Sequence, residues 1–479
     1  MHRFICALLF ILLLTLITAC DSRNNETKNS SPPAELPSVA SISPAKTSIL
    51  FKESLYPVTY ELPSGALATW RKFAVTKPVL LLFSAHPFLD PLKPGTHDEL
   101  IRFIRTGTDN DIDHRGRMLN ANPAFLPPQT LSLAIAAGLF SEIVYVMPTT
   151  QKISEFSLVD FQKRSVTYGF FTESEAAALT LQNGVIGGTL RGIPFRCVHP
   201  DALPKISAPT ILHVDLGYFN DMFVNEVKTP SYGLLHNLMT SVRNQEYPVL
   251  AATLSYSNQE AGFSLDSRFM ISNIAEVLRN PALLSGNTPP SWTLRADALY
   301  ASTMFSKSKA EELTERAAKE SPDDPAALHA LALLLFRRNQ PDQAFVVLDR
   351  AVALDKGYAL EYSELAERGK ELGQWAKSIE LLQKATECFP ENDFVKIRLV
   401  DALIQRGRVK EARPILSELL KRPWSDTYHK GVPELLNGMS EAVKDDSIVP
   451  LTDEPLKQGT FTPSLQMPPS HMGIRPNKK

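Results

Sequence analysis

The stretch ILHVDLGYFND, residues 211–221, decides how the N-terminal half of this 479-residue chain folds. Mostly apolar residues lead to Asp215, and Asp221 closes the stretch after an aromatic pair. An apolar run of this length is typical of a strand buried inside a parallel sheet. Because α/β domains bind ligands at the carboxyl ends of their strands, Asp215 and Asp221 become candidate site residues. Gly217 stands where a second carboxylate would complete a D-x-D pair.

Other apolar runs have the same character and predict further buried strands at residues 77–86, 141–148 and 247–257. Helix-like segments separate the runs at residues 97–107, 128–140, 172–182 and 231–245. Strands that alternate with helices predict an α/β domain with a largely parallel sheet, which we assign to residues 48–288. His86 lies at the carboxyl end of the first strand, and Glu260 follows the last strand.

A repeat of 34 residues organises the C-terminal part, where Ala332, Ala366 and Val400 keep this spacing. Small and large apolar residues recur at helical spacing within each unit, and such helix pairs bury their apolar faces only when they stack. The pattern resembles the tetratricopeptide repeat. It predicts an all-α solenoid over residues 291–424, with three good repeats and a degenerate first one. Residues 425–479 are polar and contain prolines, so we expect them to be irregular.

Two roles are open for such an array: a structural spacer, or a surface that binds a protein or peptide partner. Stacked repeats present an extended surface, which favours partner binding. The formal net charge of the chain is only −2. The composition therefore gives no indication of a nucleic-acid partner.

Residues 1–19 have a basic residue, Arg3, followed by an apolar run, as a secretory signal peptide does. This run is shorter than the roughly 20 residues of a bilayer-spanning helix. The sequence ITAC, residues 17–20, resembles the bacterial lipobox. This resemblance implies a lipoprotein whose Cys20 carries acyl chains such as palmitate and anchors it in the bacterial cell envelope, facing the periplasm. Asp21 resembles a signal for retention in the inner membrane. Residues 20–47 predict a flexible tether.

The order of the N-terminal segments resembles the arginase-like (ureohydrolase) fold, in particular an uncharacterised group near the peptide arginases. The resemblance rests on ALATWRKF (66–73), LLLFSAHPFLDP (80–91), AIAAGLFSEIVYVMP (134–148), ILHVDLGYFND (211–221) and ATLSYSNQEAG (252–262). It implies a site in which carboxylates and histidines hold two metal ions. A hydroxide that bridges the ions then attacks a guanidinium carbon.

The chain departs from the family pattern at several ligand positions, which here carry Ser84, Phe88 and Gly217. Two divalent ions in one pocket need several carboxylates to offset their mutual repulsion. The substitutions therefore predict that the binuclear site is lost and that the domain is non-catalytic, a pseudoenzyme that binds or docks.

The alternative is a metal-dependent, amidinohydrolase-like enzyme that acts on a guanidino or peptide substrate. In that case His86, Asp215 and Asp221 hold one divalent ion, Mn, Fe or Zn, and Glu260 is the catalytic acid that grips the guanidinium. A purely structural reading also stays open: Asp215 accepts backbone N–H groups at a turn, and His213 is satisfied in the core. The sequence leaves open whether the domain is an enzyme.

Overall fold

The structure is a computed structural model that describes residues 47–257, 264–286 and 288–444. A nine-stranded sheet forms its N-terminal part. The strands are β1 (Ser48–Ile49), β2 (Val58–Tyr60), β3 (Val79–Phe83), β4 (Glu142–Val146), β5 (Thr180–Gln182), β6 (Val185–Leu190), β7 (Ile193–Val198), β8 (Thr210–Asp215) and β9 (Pro248–Ser255). No helix within the described ranges is long and apolar enough to cross a membrane.

The sheet has a parallel centre and antiparallel ends. Its order is β1-β9-β8-β3-β4-β7-β6-β5, and β2 also pairs with β9. The pairs that involve β2, β3, β4, β8 and β9 are parallel except β1 with β9, and β5, β6 and β7 form antiparallel hairpins. The predicted α/β class with a largely parallel sheet is thus confirmed. The hairpins of β5 to β7 were not predicted.

Strand β3 is buried on both faces because helices cover both sides of the sheet. Leu80 and Leu82 belong to one apolar core, whereas Leu81 and Phe83 belong to the other. Alternate side chains of a strand point to opposite faces, so a strand between two helical layers needs apolar residues throughout. This explains the unbroken VLLLF run.

The helices of this part are α1 (Ala66–Trp70), α2 (His97–Thr106), α3 (Asp109–Arg115), α4 (Thr130–Ala136), α5 (Glu155–Thr167), α6 (Glu173–Ala177), α7 (Gly217–Met222), α8 (Ser231–Arg243) and α9 (Phe269–Arg279). A single helix was expected over 172–182, but α6 ends at Ala177 and β5 follows. In β5 the exposed Thr180 and Gln182 flank the half-buried Leu181, an alternation that suits a strand at the sheet edge.

The C-terminal part is helical. Its helices are α10 (Pro290–Thr303), α11 (Lys307–Glu320), α12 (Pro325–Arg337), α13 (Pro341–Leu354), α14 (Leu360–Glu371), α15 (Trp375–Cys388), α16 (Asp393–Gln405), α17 (Val409–Leu420) and α18 (Val432–Lys444). Each even-numbered helix up to α16 packs against the helix that follows it, and the pairs stack side by side. The predicted all-α repeat region is therefore present, and α10 and α11 form its degenerate first pair.

Helix α18 corrects the prediction that residues 425–479 are irregular. Leu436, Met439 and Val443 are buried and join the core of the last repeats. Their spacing of i, i+3 and i+7 gives an apolar face, which covers the end of the array. Residues 445–479 lie outside the described ranges.

Arg268 joins the sheet to the repeats, and its side chain is only 2% exposed. Its guanidinium donates to both carboxylate oxygens of Glu61, at 2.9 and 2.6 Å, and to both of Asp355, at 2.7 and 2.9 Å. Glu61 follows β2, and Asp355 follows α13. Burial alone would lower the pKa of Arg268, but the two carboxylates raise it above its ordinary value. The guanidinium of Arg268 therefore stays protonated and paired with both carboxylates.

Gly357 provides the space that the junction needs. A Cβ atom at this position would lie 2.0 Å from Cζ of Arg268, far inside any normal contact. The N–H of Gly357 also donates to Oδ1 of Asp355 at 2.9 Å, which fixes the orientation of that carboxylate. The start of the third repeat thus approaches the guanidinium more closely than a side chain would allow.

His329 forms a second polar contact between the two parts. Its Nε2 lies 2.9 Å from Oε2 of Glu361, and its Nδ1 lies 3.7 Å from Oδ1 of Asp266. Burial lowers the pKa of His329, but the hydrogen bond and the charges of both carboxylates outweigh burial and raise it. Asp266 and Arg268 lie in one short segment, so this segment contacts the repeats twice.

The last repeat contacts a loop of the sheet domain. Ala121 donates its N–H to Oδ2 of Asp393 at 3.0 Å, and Asp393 donates its N–H to the carbonyl of Leu119 at 3.2 Å. Nε2 of His429 lies 2.7 Å from the carbonyl oxygen of Asn120. The array is therefore attached to the sheet domain near both its middle and its end.

Replacement of Arg268 by Met should reduce the free energy of unfolding by about 3–5 kcal/mol, because it leaves two half-buried carboxylates without their cation. Urea unfolding followed by circular dichroism measures this change. Arg279→Met is the matched control, since Arg279 is exposed at the end of α9, the helix that Arg268 precedes, and should change stability by less than about 0.5 kcal/mol. Equal stability of the two variants would contradict the role of the junction.

Candidate functional site

The candidate residues lie where β3, β8 and β9 end. β8 runs between the other two strands, and Asp215 at its end is the register partner of Ser255 at the end of β9. Ser84 and His86 follow the end of β3 on the other side. Because the three strands are parallel, their carboxyl ends meet at one edge of the sheet, as the sequence predicts.

Asp215 is buried and has protein donors on both carboxylate oxygens. The hydroxyls of Ser255 and Ser257 donate to Oδ2, and the N–H of Gly217 donates to Oδ1 at 2.9 Å. Burial raises the pKa of Asp215 above its ordinary value, and these hydrogen bonds and the charge of His86 oppose the rise. The site holds this carboxylate by local donors, including the turn N–H that the structural reading predicted.

A line of hydrogen bonds leads from the core to Asp215. Nε1 of Trp70 donates to Oγ1 of Thr253 at 3.0 Å, and Nδ1 of His213 lies 2.9 Å from the same oxygen. Nε2 of His213 lies 3.3 Å from Oγ of Ser255, which donates to Asp215. One tautomer satisfies the line: Nδ1 accepts from Thr253, and Nε2–H donates to Ser255.

This line is not a nucleophilic triad. Burial lowers the pKa of His213 to about 3, so the imidazole is neutral at pH 7. In a Ser-His-Asp triad the histidine lies between the other two groups and takes the serine proton. Here Ser255 lies between His213 and Asp215, and its hydroxyl donates a hydrogen bond to the carboxylate. The arrangement orders the strand ends and does not activate a serine.

Both ring nitrogens of His86 contact groups of the loop in which it lies. Its Nδ1 accepts the N–H of Phe88 at 2.9 Å, and its Nε2 lies 3.3 Å from Oδ1 of Asp90. The ring of Phe88 packs 5.7 Å from the ring of His86 and 6.2 Å from that of His213. An apolar ring thus occupies a position where the family pattern has a metal ligand.

The remaining candidate residues are Asp221, Glu260 and Cys20. Asp221 lies on α7, and its side chain is exposed. Within the described ranges no group of three or more His, Cys, Asp or Glu side chains could hold a metal ion. Glu260 and Cys20 lie outside the described residues. The proposed ion at His86, Asp215 and Asp221 stays a prediction.

A cleft of about 470 Å³ lies beside this edge, between the ends of β2 and β9 and the repeats. Its walls include Tyr60, Glu61, Arg117, Arg268 and Asp355. The N–H of Ser257 donates to the carbonyl of Glu61 at 2.8 Å, so the cleft adjoins the Asp215 site. Sequence reasoning missed this cleft because its walls come from distant segments. The local signal for it is a carboxylate, Glu61, directly after the end of β2.

Comparison with known proteins identifies one part of the chain. The family model described as "Tetratricopeptide repeat" matches residues 371–423, which include α15, α16 and α17. This match confirms the repeat predicted from the 34-residue spacing in that region. No curated protein matches the chain.

Replacement of Ser255 by Ala should lower the free energy of unfolding by about 1–3 kcal/mol at pH 7, because a buried carboxylate loses a donor. The lost bond favours the ionised form, so its loss raises the pKa of Asp215 further. The penalty should therefore shrink as the pH falls below 7 and the carboxyl group becomes protonated. Urea unfolding over a series of pH values measures this.

The matched control is Ser132→Ala. Ser132 is equally buried, but its hydroxyl has no hydrogen-bond partner among the described residues. This substitution should cost little stability and should show no dependence on pH in the same range. A Ser255→Ala penalty that is independent of pH would contradict the ionised state of Asp215 at pH 7.

Proposed function

We propose that this protein is a lipid-anchored protein of the bacterial envelope whose repeats bind a partner protein. Its arginase-like α/β domain is non-catalytic in this proposal and holds the array. The observation that carries the proposal is the tetratricopeptide match on α15 to α17 within a longer stack of helix pairs. Arrays of this kind present an extended surface for partners.

The occupied state of Asp215 supports the non-catalytic assignment. A metal ligand must offer a free lone pair, but two serine hydroxyls and one backbone N–H already use three of the roughly four lone pairs of this carboxylate. His86 likewise accepts a backbone N–H on Nδ1. Little capacity for a metal ion remains, and the residues at 84 and 217 supply no further carboxylate.

The attachment of the repeats supports a scaffolding role for the α/β domain. The carboxyl edge of an α/β sheet is where such domains bind small ligands. Here the segment Asp266–Arg268 and the loop at Leu119–Ala121 hold the array at this end of the domain. The attachments of the repeats therefore occupy part of the region through which a ligand would reach the sheet edge.

The alternative function is a single-metal, amidinohydrolase-like hydrolase of a guanidino or peptide C–N bond. The cleft of about 470 Å³ beside Ser257 favours it, because this volume suits a small substrate. His86, Asp215 and Asp221 would hold Mn, Fe or Zn, which would supply an activated water, and Glu260 would bind the guanidinium.

Metal analysis of the purified chain after incubation with Mn, Fe or Zn distinguishes the two functions. The proposal expects no stoichiometric metal, and it expects His86→Ala and Asp215→Ala to leave the trace content unchanged. Stoichiometric metal that either substitution removes would contradict the proposal and support the hydrolase. Asp98→Ala, an exposed carboxylate on α2, is the control for non-specific loss.

Replacement of Cys20 by Ser tests the lipid anchor. The thiol is the acceptor for the acyl chains, and stable anchoring needs more than one chain. We expect the wild-type chain in the membrane fraction labelled by palmitate, and the variant without label in the soluble fraction. Cys388→Ser is the control. Retention of the label by the Cys20 variant would contradict anchoring at this residue.

Partner binding is tested by photo-crosslinking in cells. A photoreactive residue replaces Phe305, Val346 or Leu420, which are exposed positions of the array. We expect a specific adduct from at least one of them. The same residue at Tyr56 or Val75, exposed on the α/β domain, is the control and should give none. Absence of adducts at every array position would contradict partner binding by the repeats.

A further inference from the structure

A second pocket, of about 420 Å³, lies between α9 and the first two repeats. Its floor includes the buried rings of Phe269 and Trp292. Carboxylates line the rest of it: Glu276, Glu320, Asp323 and Asp324. We call this the acidic pocket. It lies apart from the Asp215 site, and none of its residues belongs to the arginase-like motifs.

The negative charge of the acidic pocket is only partly neutralised. No Lys, Arg or His is among the described residues that line it. Arg295 reaches Asp324 at 2.5 Å and donates to Oη of Tyr232 at 2.9 Å, so it offsets one carboxylate. Glu320 has only an exposed contact of 3.4 Å with Arg316. Burial and the charge of Asp324 raise the pKa of Glu276, and the charges of Arg279 and Arg295 oppose this rise.

The end of α11 adds to this negative potential, whereas the start of α12, where Asp324 accepts the N–H groups of Ala326 and Ala327, offsets part of it. Glu320 is the last residue of α11, where the free carbonyl groups carry the negative end of the helix dipole. A carboxylate at a helix C-terminus is unfavourable by a few tenths of a kcal/mol or more. The arrangement therefore costs stability in the free protein, and a bound cation would recover that cost.

Buried polar groups on the pocket floor point independently to a ligand. The side chain of Asn273 is 5% exposed, and its Nδ2 donates to Oη of Tyr232 at 3.3 Å. The other polar end of this amide has no partner within the described chain. Ser291 is 4% exposed, lines the same pocket, and makes no side-chain hydrogen bond to a described residue. Both side chains line the pocket, so each can offer a hydrogen bond to a polar ligand there.

The size and the walls of the acidic pocket suit a long basic side chain. The methylene stem of lysine or arginine can lie along Phe269 and Trp292 while its charged head reaches the carboxylates. An ammonium has three donors, enough for Glu276, Asp323 and the amide of Asn273. Ser272 and Pro325 line both this pocket and the larger cleft, so a peptide backbone can continue from one to the other.

We propose that the acidic pocket binds a lysine or arginine side chain of the partner protein. This inference rests on the proposed function, because it specifies the chemistry of the partner that the repeats recognise. The contact lies at the start of α12, where the first and second repeats meet α9. The partner then touches both the array and the α/β domain, and the rigid junction between them keeps the pocket in shape.

Binding of short peptides to the full-length chain tests the proposal by calorimetry. The probes are acetyl-Gly-Lys-Gly-amide, its arginine analogue, its norleucine analogue, which lacks the charge, and spermidine. We expect the lysine or arginine peptide to bind and the norleucine peptide to bind at least about tenfold more weakly. The double variant Glu276→Gln with Asp323→Asn should weaken the basic peptide by at least about tenfold.

The matched control is Glu387→Gln with Glu434→Gln, which removes the same charge from exposed positions of α15 and α18. It should change the affinity by less than about twofold. Equal losses in the two double variants would show non-specific attraction to a negative surface and overturn the proposal. No binding of either basic peptide would also overturn it. Binding of spermidine alone would assign the pocket to a small amine and overturn the protein partner at this site.

The crosslinked partner separates failure of this inference from failure of the proposed function. If adducts form on the repeats and the Glu276→Gln, Asp323→Asn variant retains them in full, the partner binds elsewhere and only the inference fails. If no adducts form at all, the proposed function fails, whatever the peptides do. Loss of the adducts in this variant but not in its control supports both.

Discussion

The buried charge of Arg268 is the interaction on which the arrangement of this molecule depends. An isolated guanidinium with 2% exposure would be very costly, and the two carboxylates around it would be costly without it. The group is stable only when the segments that follow β2, precede α9 and follow α13 are all in place, because each supplies one of the three charges. The two parts of the chain therefore form one structural body at this point.

The same set of bonds extends to the candidate site. Glu61 pairs with Arg268 through its side chain, and its carbonyl accepts the N–H of Ser257. The hydroxyl of Ser257 in turn donates to Asp215. A residue that resembles a metal ligand in the sequence is thus part of the polar network that holds the strand ends beside the repeats. The structural interpretation of Asp215 needs only these protein donors, whereas the enzymatic interpretation adds a metal ion at the carboxylate.

The sequence predicts those features of the fold that depend on residues close together along the chain. The runs that became β3, β4, β8 and β9 are visible because a strand with two covered faces is apolar throughout, and the 34-residue spacing shows the helix pairs. The bond from the N–H of Gly217 to Asp215 could also be predicted, because the two residues are close together in the sequence. The pairing of Arg268 with Glu61 and Asp355 spans 207 and 87 residues, and no local pattern marks it. Helix α18 was missed because Pro433 and its polar residues obscure three apolar positions that matter only against the last repeat.

Attachment of the array at several places has a consequence for how this chain can evolve. A free solenoid can gain or lose a unit at little cost, because each unit contacts only its neighbours. Here Asp355 must meet Arg268 while Asp393 meets the loop at Leu119 and Ala121. An added 34-residue unit between these points would carry one of them away from its partner. The number of repeats between these two points is therefore fixed by the sheet domain to which they are attached.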